Sequence, residues 1–220
     1  YFSLLNNEYA GINLTRINDP DEFWSKQIED SIAPFEQIDT FKQSLLGHKL
    51  HLDIGFGGGF PLLPLAFLNP DFEFHGFEAR GKKAKVVQEI SEHLGLNNVN
   101  CHHLRIENLL IDVSCSISFK AVGKVYDFLS LINTTNKVNV FFYKGPSFDT
   151  TELDQFEKAK NDWSVLNKSE LNVQGTEKRY IIGFENKKVP HGTIKNKNLV
   201  KLSSLIKAKK DSHGQNNRDR

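Results

Sequence analysis

One stretch, Leu52-Asp53-Ile54-Gly55-Phe56-Gly57-Gly58-Gly59-Phe60-Pro61, concentrates the residue types that bind a ligand through the backbone. An acidic side chain closes an apolar strand run, and four glycines follow within five positions. Glycine carries no Cβ, so a ligand can approach the main chain closely there. Amides at the start of the following helix can donate to a polar or anionic group, at the edge where open α/β sheets bind ligands. Asp53, Gly55, Gly57, Gly59 and Phe60 are therefore candidate binding residues. A tight turn with no ligand needs fewer glycines than this.

About twenty residues on, Phe77-Glu78 closes a second strand run, where a carboxylate can accept bonds from both ribose hydroxyls of an adenosine-containing ligand. A dinucleotide fingerprint wants a third glycine where this chain has Phe60, and it does not include Asp53, so S-adenosylmethionine fits better than NAD. Beyond the third strand, Ile106 of Arg105-Ile106-Glu107 can pack on an adenine face while Glu107 or the backbone bonds its edge; ordinary capping is the plainer alternative. After the fourth strand, Lys120 can hold a methionine carboxylate or an RNA phosphate, or stand solvated. No metal is implied: the two cysteines lack ligand spacing, and no histidine pair has the i, i+4 placement of a zinc protease. Neither a Gly-x-Ser-x-Gly elbow nor a Walker loop occurs, so hydrolase and P-loop readings lose their main support.

Three stretches of different pattern must position these residues. Residues 1–47 form a helical extension, with Asp19-Pro20 as cap and first turn. Residues 48–186 alternate short apolar runs with longer amphipathic ones, which predicts βαβ units and a mainly parallel sheet. Strands are expected at 50–54, 72–77, 99–103, 113–118 and 138–143, with helices at 82–94, 122–132 and 151–160. A hairpin of 163–173 and 178–184, turning near Gly175, would close the sheet antiparallel. Residues 187–220 form a basic tail with one apolar cluster around Leu199, Val200, Leu202, Leu205 and Ile206, and its last ten residues are expected to be disordered.

With 220 residues, the chain is long enough for one sizeable α/β domain and small appendages. Its 39% hydrophobic and 25% charged residues, with 17 Phe, suit a globular protein with a real core. The net charge of +1 hides a segregation: residues 186–220 hold ten Lys/Arg against two Asp, leaving 18 basic and 25 acidic residues in the body. Such a tail attracts polyanions, although solvated lysines are common. No apolar run approaches a membrane span, and the first residues lack a secretory layout, so a cytoplasmic protein without membrane contact is expected. Cys101 and Cys115 read as buried structural thiols. The absence of Met, even at position 1, leaves the N-terminal boundary open. The expected state is a monomer.

In order and spacing, Asn13-Leu14-Thr15, Asp30-Ser31-Ile32, Asp53 through Pro61, Lys82-Lys83, Leu96-Asn97-Asn98-Val99, Arg105-Ile106-Glu107 and Lys120-Ala121 resemble the RsmG (GidB) methyltransferases, over about residues 5 to 200. The resemblance implies a class I S-adenosylmethionine-dependent methyltransferase fold (α/β, Rossmann-like). It also implies methyl transfer to N7 of one guanine in 16S small-subunit ribosomal RNA, as naked RNA or in the ribosomal subunit. It implies cofactor contacts from Gly55, Phe60, Glu78, Ile106, Glu107 and Lys120. Three positions depart from the family: Lys120 replaces its usual arginine, Leu62 a glycine, and Glu78 the more typical Asp.

Guanine N7 has an exposed lone pair, so the implied chemistry needs alignment rather than a general base. Lys120 is accordingly an orienting candidate, whose replacement by Ala is expected to lower transfer without unfolding the protein. The basic segment Lys187 to Lys210 and the helical extension are candidates for gripping RNA phosphates. Two alternatives stay open: a methyltransferase acting on another substrate, and a noncatalytic RNA-binding or ribosome-assembly factor that keeps a cofactor-like pocket.

Overall fold

The structure, a computed structural model, describes residues 1–187 and 198–208. The remainder of the basic tail, with its expected disorder, lies outside the described residues.

Seven strands form the main sheet: β1 (Leu50–Ile54), β2 (Glu73–Glu78), β3 (Val99–His103), β5 (Cys115–Lys120), β7 (Val138–Lys144), β8 (Trp163–Leu171) and β9 (Arg179–Asn186). Their order is β3-β2-β1-β5-β7-β9-β8, parallel from β3 to β7, with β9 antiparallel between β7 and β8. The expected parallel sheet and closing hairpin are therefore both present. Strand β7 explains why apolar runs here show no alternation. Phe141 and Tyr143 join the core on one face, Val140 and Phe142 join that on the other, and the strand is buried on both.

Several boundaries move. The fourth strand starts at Cys115, two residues later than its apolar run, and its helix shrinks to Val125–Leu129. Ala121, at φ +54°, and the bend at Gly123 occupy the positions before Val125, so the helix starts later. A second, three-stranded parallel sheet was not foreseen: β4 (Leu109–Ile111) lies between β6 (Asn133–Thr134) and β10 (Val200–Lys201). It ties the apolar cluster of the tail to the body. Leu202 is buried there, and Ser203 donates from its amide and hydroxyl to Asp112, at 2.9 and 2.7 Å.

The N-terminal helices do not stand apart. Helix α1 (Pro20–Phe23) starts on Asp19, whose side chain accepts from the Glu22 amide, and Pro20 occupies the first turn. A wider π-type turn over Trp24–Glu29 leads into α2 (Asp30–Gln37), and α3 (Asp39–His48) follows. Phe23, Ala33 and Phe41 share one core with Phe74 and Phe141 of the sheet.

Candidate functional site

Strand order reverses at β1, whose neighbours are β2 and β5, and a cleft opens beyond the carboxyl ends of these strands. Ile54 lies level with Phe77 on one side and Phe119 on the other. The next residues, Gly55, Glu78 and Lys120, therefore stand abreast at the sheet edge. All three line the cleft, of about 410 Å³, together with Gly57, Phe60 and Lys83.

The glycine loop is shaped by backbone conformation. Gly55, Gly57 and Gly59 have φ of +72°, +56° and +94°, a region that side chains rarely adopt. A Cβ at Gly57 would meet nothing closer than 3.9 Å, so this position faces open cleft. A Cβ at Gly58 would lie 2.6 Å from the Leu14 carbonyl, because the Asn13-Leu14-Thr15 segment presses on the loop. Tyr1 stacks on Phe60 at 5.0 Å and Phe23 meets the same ring edge-on at 5.6 Å. The N-terminal segment is thus a wall of the site.

Asp53 supports the loop from within. It is fully buried and does not line the cleft. Its Oδ2 accepts from the Leu62 amide at 3.0 Å, at the start of α4 (Leu62–Leu68), and its Oδ1 accepts from the Ser118 hydroxyl at 2.9 Å. Burial pushes its carboxyl up to about 7, while these two donors pull the other way. Ser118 also lies 2.9 Å from Nε2 of His51, whose Nδ1 is 2.7 Å from Ser116; burial pulls this imidazole down to about 3 and keeps it neutral. Leu62 is buried core, so the departure from glycine there fills space instead of opening the cleft.

Glu78 accepts from the Gly57 amide at 3.2 Å and the Arg80 amide at 3.0 Å, one on each carboxylate oxygen. Each oxygen has a second lone pair, so the carboxylate keeps acceptor capacity toward the cleft. The open backbone at Gly57 beside this carboxylate fits a ligand with an adenosine ribose.

Lys120 is not solvated. Its ammonium lies 2.8 Å from Asp30 Oδ2, in a buried ion pair that joins α2 to the end of β5. It also donates to the Lys26 carbonyl at 3.3 Å and the Ser31 hydroxyl at 3.4 Å. Burial lowers its pKa, and Asp30 raises it again. Sequence reasoning missed this partner, although the Asp30-Ser31-Ile32 segment was visible as part of a motif.

Of the other expected site residues, Gly59 packs against Tyr1 and Leu63. Ile106 is buried in the core with Phe77, and Glu107 pairs with Arg105 at 3.7 Å. None of the three lines the cleft. Among the described residues, no group of three or more His, Cys, Asp or Glu is arranged to hold a metal ion. Among the same residues, no helix is long and apolar enough to cross a membrane.

Residues 1–182 match the GidB family, described as rRNA small subunit methyltransferase G. A curated relative, Ribosomal RNA small subunit methyltransferase G of Flavobacterium psychrophilum, is 35% identical over 194 residues, 84% of each chain. The protein of the same name from Christiangramia forsetii is 42% identical over 98 residues, 44% of each chain. Among solved structures, the mitomycin 7-O-methyltransferase MmcR superposes with a TM-score of 0.51 at 15% identity, over 64% of this chain and 50% of that one. A structure described as "Conversion of a Disulfide Bond into a Thioacetal Group during Echinomycin Biosynthesis" gives 0.52 at 11% identity, over 78% and 86%. These two likenesses concern the class I methyltransferase fold. The family match over residues 1–182 and the relative 35% identical over 84% of the chain place it: it belongs to the GidB family, the rRNA small subunit methyltransferases G.

Proposed function

We propose that the protein transfers the methyl group of S-adenosylmethionine to N7 of a guanine in 16S ribosomal RNA. One observation carries the reading: in a chain of this family, a glycine loop with its backbone open to the cleft stands beside Glu78 and Lys120 at the switch point of the sheet. S-adenosylmethionine supplies an already activated methyl group. Glu78 would accept from the ribose hydroxyls, and Gly55 and Gly57 would admit the ligand against the main chain. Phe60 would pack on it, and Lys120 would orient the reacting groups. The family resemblance, and not the cleft lining, is what supports an adenine contact from Ile106 and Glu107, and Asp53 and Gly59 would hold the loop in shape.

Guanine N7 needs no deprotonation, so the rate depends on alignment and on exclusion of water. We read residues 1–47 as a helical extension, 48–186 as the methyltransferase domain and 187–220 as a basic tail that grips phosphate. The protein would act in the cytoplasm as a monomer. The deciding experiment supplies labelled S-adenosylmethionine and small ribosomal subunits that lack the modification, then identifies the product nucleoside by mass spectrometry. Labelled 7-methylguanosine is expected; absence of transfer despite cofactor and RNA binding overturns the reading.

A further inference from the structure

Next to the cofactor cleft lies a second pocket of about 320 Å³, and the two share Gln27, Lys120 and Ala121 in their lining. Its walls include Ile17, Leu171 and Tyr143, whose apolar faces suit a flat ring. Tyr143 is fixed by its hydroxyl, which donates to the Ser31 carbonyl at 2.9 Å. Asp30 lines this second pocket but not the first. It is 4% exposed, its Oδ2 is taken by Lys120, and its Oδ1 has no hydrogen-bond partner. The Arg179 Nε lies 3.3 Å from that oxygen as an ion pair only. A buried carboxylate oxygen that a guanidinium faces without a hydrogen bond keeps an open acceptor position, where a ligand can donate.

The order of groups is informative. Moving from the cofactor cleft into the second pocket, the chain presents the Lys120 ammonium and then the Asp30 carboxylate, a donor followed by an acceptor. Guanine, read from N7 along its edge, presents N7, then the O6 acceptor, then the N1–H donor. Adenine presents N7, then an amino donor, then an acceptor. Guanine complements the pair with N7 nearest the cleft, and adenine opposes it at both positions. We propose, on the assumption of guanine-N7 methylation, that the Lys120–Asp30 pair reads the target base: Lys120 donates to O6, Asp30 Oδ1 accepts from N1–H, and N7 is thereby aimed at the cofactor cleft. O6 would replace one of the two long contacts, at 3.3 and 3.4 Å, that Lys120 makes to the Lys26 carbonyl and the Ser31 hydroxyl.

The test uses the full-length protein with S-adenosylmethionine and small subunits assembled around rRNA that carries guanine, inosine or 2-aminopurine at the methylated position. That position is first located from the guanine product. Inosine retains N7, O6 and N1–H, whereas 2-aminopurine retains only N7 of these three groups. Single-turnover rates are normalised to the reactivity of each base toward a small methylating agent. Inosine is expected within about tenfold of guanine, and 2-aminopurine at least about 100-fold slower, because a polar site rejects analogues that leave it unpaired. Equal rates for inosine and 2-aminopurine overturn this proposal alone. Absence of transfer to guanine subunits removes the proposed function, and this inference with it. In a second arm, Asp30→Asn is expected to slow transfer to guanine by roughly 10- to 100-fold, to leave cofactor affinity in place and to shrink the inosine-to-2-aminopurine ratio. An unchanged ratio in a less stable variant means that Asp30 is only a structural tie, and overturns the reading role. Should Asp30→Asn not fold, the wild-type comparison of the three bases still decides.

Discussion

The Asp53 carboxylate accepts a hydrogen bond from the Leu62 amide at 3.0 Å, so the end of β1 and the start of α4 are locked together with the glycine loop held between them. Removing this carboxylate leaves the Leu62 amide and the Ser118 hydroxyl buried without their acceptor. Asp53→Ala is expected to lose about 1–3 kcal/mol of stability and to weaken cofactor binding, read by denaturant unfolding and calorimetry. Wild-type stability and affinity would show that the loop holds its shape without the carboxylate.

The same carboxyl has a pH signature. Burial raises it from the ordinary carboxylate range to about 7, so the folded state holds this proton more tightly than the unfolded chain. Its contribution to stability is complete below the ordinary carboxylate pKa and is lost as pH rises through about 7. Asp53→Asn cannot titrate, and unfolding free energies between pH 4 and 7.5 should fall less steeply with pH in this variant than in the wild type. Parallel curves would contradict the raised pKa.

Two neighbouring glycines should fail in different ways. Gly58→Ala puts a Cβ 2.6 Å from the Leu14 carbonyl, a backbone atom that cannot swing aside, and is expected to cost about 1–3 kcal/mol in unfolding experiments. Gly57→Ala meets no close atom but carries φ +56°, so about 1–2 kcal/mol of strain is joined by a methyl in the cleft. The prediction is that cofactor affinity falls more for Gly57→Ala than stability alone explains. The reverse ranking would place the ligand elsewhere.

Glu78 should matter for binding rather than folding. Glu78→Ala removes the acceptor of two loop amides and the proposed ribose contact together, whereas Glu78→Asp keeps the charge and matches the family's usual residue. Cofactor affinity is expected to drop roughly 10- to 100-fold in the alanine variant and to recover with aspartate. Equal affinities across the series would exclude a ribose role.

Lys120 is more deeply built in than a free orienting lysine. Lys120→Ala leaves the Asp30 carboxylate buried with Arg179 as its remaining cation partner, and breaking such a pair costs about 3–5 kcal/mol. Both the melting temperature and methyl transfer are therefore expected to fall. Lys120→Arg restores a charge that can face Asp30 with two donors, and should recover most of both. A Lys120→Ala variant with wild-type stability would show the ion pair to be energetically idle.

The linear pattern alone determined a good deal. The glycine cluster after an apolar strand, Glu78 after the next strand and the alternation of runs through Phe184 all depend on local physics: backbone freedom, period of burial and strand ends. Residues set by such rules occupy their expected elements, and Gly55, Gly57, Phe60, Glu78 and Lys120 do meet at one cleft or its loop. The second sheet escaped notice because two- and three-residue strands carry no period to read, and the helix expected at 122–132 forms only over Val125–Leu129.

What only the tertiary structure decided is which groups face each other. Asp53 looks like a ligand residue in the sequence, yet folding buries it, because its partners Ser118 and Leu62 arrive from a neighbouring strand and the following helix. Asp30 and Lys120 are 90 positions apart and become an ion pair because α2 packs over the carboxyl end of β5. Residue type and spacing state what each side chain can do. Contacts distant in sequence decide its solvent, its partner and its direction, and those set the chemistry it performs.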